Sequence, residues 1–294
     1  MEQHSISAPA GTRFASWSRR LRREFIWAYQ GNPFVPKNTS ILRNVAVWRM
    51  LEGSVEVTAQ GSTTTVHAGQ WFSPGTHFSQ AFSEDAVILS LHFSCEWMTG
   101  KSLFPPNLQI QIPAQDHPEL DPLAQRLIEA IPAIPHSNLR HLEKLPISLS
   151  TFLKIDSLFA DWLSAWIDAL EQQSIALTET PGIRTEVLRA IDYIRRLPHD
   201  KPFNEIDVVH VSGLSRSALI AQYTDIVGLS PRQHHDKLKM EATQTALEIG
   251  DSQLKMLAFE LGFQSASQFS NWFRRRQGIS PREYREQHQK LSRI

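Results

Sequence analysis

Ser267, Asn271 and Arg274 follow one another at steps of four and three near the C-terminal end of a 294-residue chain. On an α-helix that spacing puts all three on one face. An asparagine amide can bond the edge of adenine, and a guanidinium can reach guanine or a phosphate. The chemistry offered is hydrogen-bonded recognition of a polyanion rather than bond making. Ala266, Phe269 and Phe273 fall on the opposite side of the same helix. A helix held by an apolar back, with a polar and basic front, is what a reader of the DNA major groove needs. Arg275, Arg276, Lys237 and Lys239 read as phosphate contacts or solvated cations. Phe269, Trp272, Phe273 and Tyr223 read as core, and His234 and His235 as polar helix residues.

The elements that must position these side chains are helices with local stop and start signals. In EIDVVHVSGLSRSALIAQY a short helix is followed by a turn at Gly213, with Ser215 as N-cap of a second helix running to about Ile226. Leu219 and Tyr223, four apart, face its core. DSQLKMLAFELGFQSASQFSNWFRRRQG repeats the plan with Gly262 in the turn and Ser265 as N-cap. GLSPR at Gly228 to Arg232 recurs as GISPR at Gly278 to Arg282, 50 residues later. In each copy glycine suits a left-handed helix end, and Ser-Pro suits the cap and first turn of the next helix. Ser230-Pro231 thus opens a joining helix over Arg232 to Leu247, and Ser280-Pro281 opens a terminal helix.

These residues resemble the AraC/XylS family of bacterial transcription regulators, with the pattern A-x-x-x-G-F-x-S-x-x-x-F-x-x-x-F-[KR]-x-x-x-G-x-[ST]-P-x-x-Y-R. Ala258, Gly262, Phe263, Ser265, Phe269, Phe273, Arg274, Gly278, Ser280, Pro281, Tyr284 and Arg285 fill every fixed place. The resemblance covers about Val187 to Gln287. It implies two units entering successive major grooves, about 34 Å apart on one side of the duplex. The reading positions it implies are Ser267, Gln268 and Asn271 in the second unit, with Arg274 and Arg275 beside them, and Arg216, Ser217, Ile220 and Ala221 in the first. Ile220 and Ala221 depart from the more polar members of the family, since neither can donate to a base edge and both could only pack on thymine methyl groups, so the first unit either discriminates weakly or reads through Arg216 and Ser217.

Before residue 180 the pattern changes. NVAVWRML, EGSVEVTAQGS, TTTVHAG, QWFSPGTH and AVILSLHFS alternate and break at Gly53, Gly61, Gly69 and Gly75, as an antiparallel barrel or sandwich does. A short helix is expected near Leu123 to Ile131. From about Leu149 to Gln172, Phe152, Leu158, Phe159, Trp162, Leu163, Trp166 and Leu170 form a helical stripe, divided between the barrel and a second copy of the chain, or all intramolecular core. Pro181-Gly182 then marks a linker. The segment GSVEV, HAGQWFSPGTHF and LHF resembles the cupin-like effector domain of sugar-responsive members of the same family. That resemblance implies a small-molecule effector, a carbohydrate first, inside the barrel. Arg49, Trp71, His77 and His92 are the candidate ligand residues, with Trp27 and Tyr29 on the first strand.

Three other classes fit less well. A cupin enzyme needs a metal held by an H-x-H pair and a following carboxylate, and His77 and His92 stand alone. A serine hydrolase lacks its G-x-S-x-G. A helical domain binding protein instead of DNA is opposed by Arg274 to Arg276 beside Asn271, and salt-insensitive binding would favour it. The net charge of zero divides into 13 basic and 17 acidic residues before Arg184, and 17 and 13 from there on, which suits a polyanion partner for the second half. No membrane-spanning run or signal peptide is evident, and the one cysteine, Cys95, forms no disulfide framework, so a cytoplasmic protein is expected. The expectation is an α+β regulator that is no enzyme and needs no cofactor or metal. It has a cupin-like β-barrel sensor over 1–180, an all-α double helix-turn-helix domain over 184–294, and double-stranded DNA, a small-molecule effector and a homodimer as partners, without a membrane.

Overall fold

A computed structural model of the chain describes residues 20–42, 44–132, 142, 145–178, 183–249 and 253–290. Contacts divide it into two compact units, Met1–Trp97 with Ser102–Glu179, and Met98–Lys101 with Thr180–Ile294. The first carries strands β1 (Leu21–Gly31), β2 (Lys37–Ile41), β3 (Val45–Glu52), β4 (Ser54–Ala59), β5 (Ser62–His67), β6 (Gln70–Pro74), β7 (His77–Phe82), β8 (Val87–Trp97) and β9 (Gln109–Pro113), then helices α1 (Leu120–Ala130) and α2 (Leu149–Gln172). They form a five-stranded sheet ordered β1-β8-β3-β6-β9 and a four-stranded sheet ordered β2-β7-β4-β5. Neighbouring strands run antiparallel. Strands β1, β2 and β9 carry weak alternation, and the sequence marks them poorly.

Side chains alternate across a strand, and here both faces of the larger sheet are apolar. Ala46, Trp48 and Met50 of β3 are buried, and Trp48 and Met50 meet Val55, Val57, Phe72, Phe78 and Ile88 between the sheets. Trp48 lies 6.1, 5.6 and 5.5 Å from the rings of Phe72, Phe78 and Phe82. Val47, Leu89, Leu91, Phe93 and Trp71 point the other way, into a second core closed by α2. That helix buries Leu158, Phe159, Trp162, Leu163, Trp166 and Leu170. Trp162 and Trp166 stack with centroids 5.9 Å apart, and Trp71 sits 5.9 Å from Trp162. Phe152 departs from the expected stripe: it is exposed, with Leu149 and Leu153, on the first turns of α2. Cys95 is buried in the same core, and burial pushes its thiol up to about 12, so it packs as a small apolar residue.

The second unit is helical: α3 (Thr185–Arg196), α4 (Glu205–Ser212), α5 (Arg216–Val227), α6 (Pro231–Ile249), α7 (Leu254–Glu260), α8 (Ala266–Gln277) and α9 (Pro281–Lys290). It has two apolar centres. Val187, Ile191, Val208, Leu219 and Tyr223 fill one, and Leu247, Leu257, Ala258, Phe269, Phe273 and Tyr284 the other.

Candidate nucleic-acid interface

Local capping sets both helix-turn-helix units. Asn204 accepts from the Ile206 N–H at the start of α4, and Gly213 ends that helix at φ 74°. Ser215 then accepts from the Ala218 N–H to open α5. In the second unit Ser265 accepts from the Gln268 N–H at 3.2 Å, and Gln268 Oε1 accepts in return from the Gln264 N–H at 3.0 Å. Ser230 with Gln233, and Ser280 with Glu283, make the reciprocal capping box at the heads of α6 and α9. Each box satisfies two backbone donors that a helix start leaves open. In the sequence these boxes are marked by Ser-x-x-Gln at Ser230 and Ser-x-x-Glu at Ser280.

Helix α8 buries Phe269 and Phe273 and exposes Ser267, Asn271, Arg274 and Arg275. Gln268 is exposed too, but its carbonyl oxygen is committed to the cap, which leaves its amide N–H groups for any further contact. Among the described residues neither Arg274 nor Arg275 makes an ion pair. Arg276 is tied down, 3.3 Å from Asp236 and over the Trp272 ring at 5.0 Å. Beside this helix Phe263, Gln268, Asn271, Trp272, Arg275 and Arg276 line an open cleft of about 340 Å³. Lys239 is drawn over the Phe263 ring at 4.5 Å, and burial lowers its pKa.

Helix α5 has the same build with a different surface. Leu219, Tyr223 and Val227 are buried, and Arg216, Ser217, Ile220 and Ala221 are exposed. Arg216 holds Glu205 with two hydrogen bonds, 2.7 and 3.1 Å. The 50-residue repeat puts Ala221 where α8 has Asn271, Thr224 where it has Arg274, and Asp225 where it has Arg275.

His234 and His235 are corrections to the sequence reading, since both are buried. His234 Nδ1 is 2.6 Å from the Tyr223 hydroxyl. His235 packs on Phe203, with ring centroids 5.6 Å apart. A helix face whose residues are polar is here the wall between α6 and the first apolar centre.

The six residues expected inside the barrel separate. Trp27 and His92 pair across β1 and β8 and stack at 4.1 Å, with His92 Nδ1 3.1 Å from Asn44 Oδ1. Tyr29, two residues on, donates to the Asn32 carbonyl and packs against Phe34. His77 is exposed on β7, next to the inward Phe78. Arg49 and Trp71 face away from the space between the sheets, because strand alternation assigns them to the face that α1 and α2 cover. There Asp121 of α1 accepts from Arg49 Nε at 2.9 Å and from Trp71 Nε1 at 2.8 Å. Gln30, Arg49, Leu51, Leu89, Asp121, Pro122 and Gln125 line a cleft of about 320 Å³. Among the described residues no three His, Cys, Asp or Glu side chains gather as a metal site, and no helix is long and apolar enough to cross a membrane.

Residues 208–287 match the helix-turn-helix domain family. A putative AraC-like transcription regulator of Streptomyces antibioticus is 24% identical over 168 residues, 56% of this chain and 46% of that protein. The HTH-type transcriptional activator RhaS of Escherichia fergusonii is 34% identical over 73 residues, 25% of this chain and 26% of that protein. Both are transcription regulators, and this chain spans less than half the length of either. ToxT from Vibrio cholerae, a solved structure, aligns at TM-score 0.45 and 13% identity over 91% of this chain and 98% of its own.

Proposed function

We propose that this chain is a sequence-specific DNA-binding transcription regulator of the AraC type and not an enzyme, a reading supported by its paired helix-turn-helix units and by the helix-turn-helix match over residues 208–287. The observation that carries the reading is the front of α8. Ser267, Asn271, Arg274 and Arg275 stand exposed on a helix whose back, Phe269 and Phe273, is anchored in the core. Asn271 is assigned to a base edge, and Arg274 and Arg275 to guanine or phosphate. Affinity of the full chain for the duplex upstream of its own gene, against random duplex, tests this over a range of salt. Tighter binding to the upstream duplex, weakening as salt rises, is expected, with Asn271→Ala narrowing the difference between the two duplexes. Equal, salt-insensitive binding to both would sink it.

The N-terminal unit serves as a sensor whose ligand shifts the DNA-binding equilibrium. The cleft at Arg49 and Asp121 supports a ligand rich in hydroxyl groups, a carbohydrate first. Two glutamine amides, a guanidinium and a carboxylate give donors and acceptors at its rim. A homodimer is supported by the exposed Leu149, Phe152 and Leu153, which leave an apolar patch on the first turns of α2. Sedimentation of Phe152→Glu and Leu153→Glu against the parent chain tests it. A parent that is already monomeric at micromolar concentration refutes the dimer.

A further inference from the structure

We infer that the two reader helices recognise DNA by different chemistry, and that α5 reads the 5-methyl groups of thymine through Ile220 and Ala221. The inference rests on the DNA-binding reading above and adds which base chemistry the first unit takes. A helix that reads by hydrogen bonds needs side-chain donors or acceptors on its exposed front. On α5 that front is Arg216, Ser217, Ile220, Ala221, Thr224 and Asp225. Its one cation is held in two hydrogen bonds by Glu205, so reaching a guanine would mean breaking a paired contact. Asp225 stands where the second unit has Arg275, and its charge repels phosphate. Ala221 replaces Asn271 and offers only a methyl group. Ile220 is the large apolar side chain of the face, 36% exposed among otherwise small or polar neighbours.

The thymine methyl is the apolar feature that the major groove displays, and side-chain methyl groups contact it directly. Isoleucine and alanine side by side are suited to that group and to no hydrogen-bonding edge. Burying one methyl-sized group is worth about a fourfold change in affinity. The α8 front, with Asn271, Arg274 and Arg275, carries the polar and electrostatic share. The operator therefore has two unlike half-sites, about one helical turn apart, and the one under α5 is thymine-rich.

Selection of tight-binding duplexes from a random pool with the full chain supplies the operator, and Asn271→Ala identifies the half-site under α8 by the positions whose preference it relaxes. Each thymine is then replaced by deoxyuridine, which removes the methyl and leaves base pairing intact. One or two thymines in the other half-site should lose about three- to fivefold in affinity. Ile220→Ser should bring those ratios close to one, while Ile220→Val should keep them. Both substitutions lie on the exposed face, and circular dichroism checks that the fold is kept. Sequence-specific binding without any uracil-sensitive thymine in that half-site overturns the inference alone, as does a penalty that Ile220→Ser leaves unchanged. Selection that enriches no sequence overturns the DNA-binding reading and this inference with it.

Discussion

Tyr223 and His234 meet inside the first helix-turn-helix unit, with Oη and Nδ1 at 2.6 Å, and the shared proton belongs to tyrosine. Burial, reinforced by Arg195, Lys237 and His235, pushes the imidazole down to about 4, and burial raises the phenol. The hydroxyl donates to a neutral ring that accepts. An unfolded chain protonates this histidine near its ordinary 6.5, whereas the folded chain does so only near 4. Stability is therefore fully present above pH 6.5 and is lost as the pH falls towards 4, by up to about 3 kcal/mol. Unfolding midpoints of the full chain at pH 7.5 and 5 should show this loss. In His234→Gln, where an amide oxygen still accepts from Tyr223 without titrating, the difference should shrink; an unchanged slope would assign the effect elsewhere.

At the scale of the element, two turn glycines look alike in sequence and differ in what surrounds them. Gly213 has φ 74° with open space where a Cβ would be, and Gly262 has φ 75° with the Asp200 backbone in that place. Gly213→Ala should cost about 1 kcal/mol for the left-handed backbone alone. Gly262→Ala meets the same cost and must also displace Asp200, so its unfolding midpoint should fall further. Equal effects would mean that the Asp200 segment yields freely. The serine caps beside these turns follow from local sequence, since Ser215 and Ser265 each accept from the N–H three positions on, within one helical turn. Asp200 lies 62 positions before Gly262, and no local pattern links them.

Across the whole molecule, the sensor reading predicts that a pentose or hexose stabilises the full chain by about 2.7 kcal/mol when present at a hundred times its Kd, and so raises its unfolding midpoint. Gln30→Ala with Gln125→Ala, at the rim of the cleft and clear of the Arg49–Asp121 pair, should remove the gain. A panel of sugars without effect would turn attention to other hydroxylated or acidic ligands. The placement of that cleft marks the limit of the sequence. Helix caps, the 50-residue repeat, the buried back of α8 and the β4–β5 hairpin follow from residues close in the chain, because hydrogen-bonded turns and amphipathic periods are local. Which face of β3 and β6 looks at helices depends on partners far along the chain. Asp121 lies 72 positions from Arg49 and 50 from Trp71. Alternation told that Arg49 and Trp48 point opposite ways, but only packing decided that both sides are covered. Burial of His234 and His235 was settled in the same way: apolar matter from α3 to α5 closes over a helix face whose own residues look polar, and burial is a property of what surrounds a side chain.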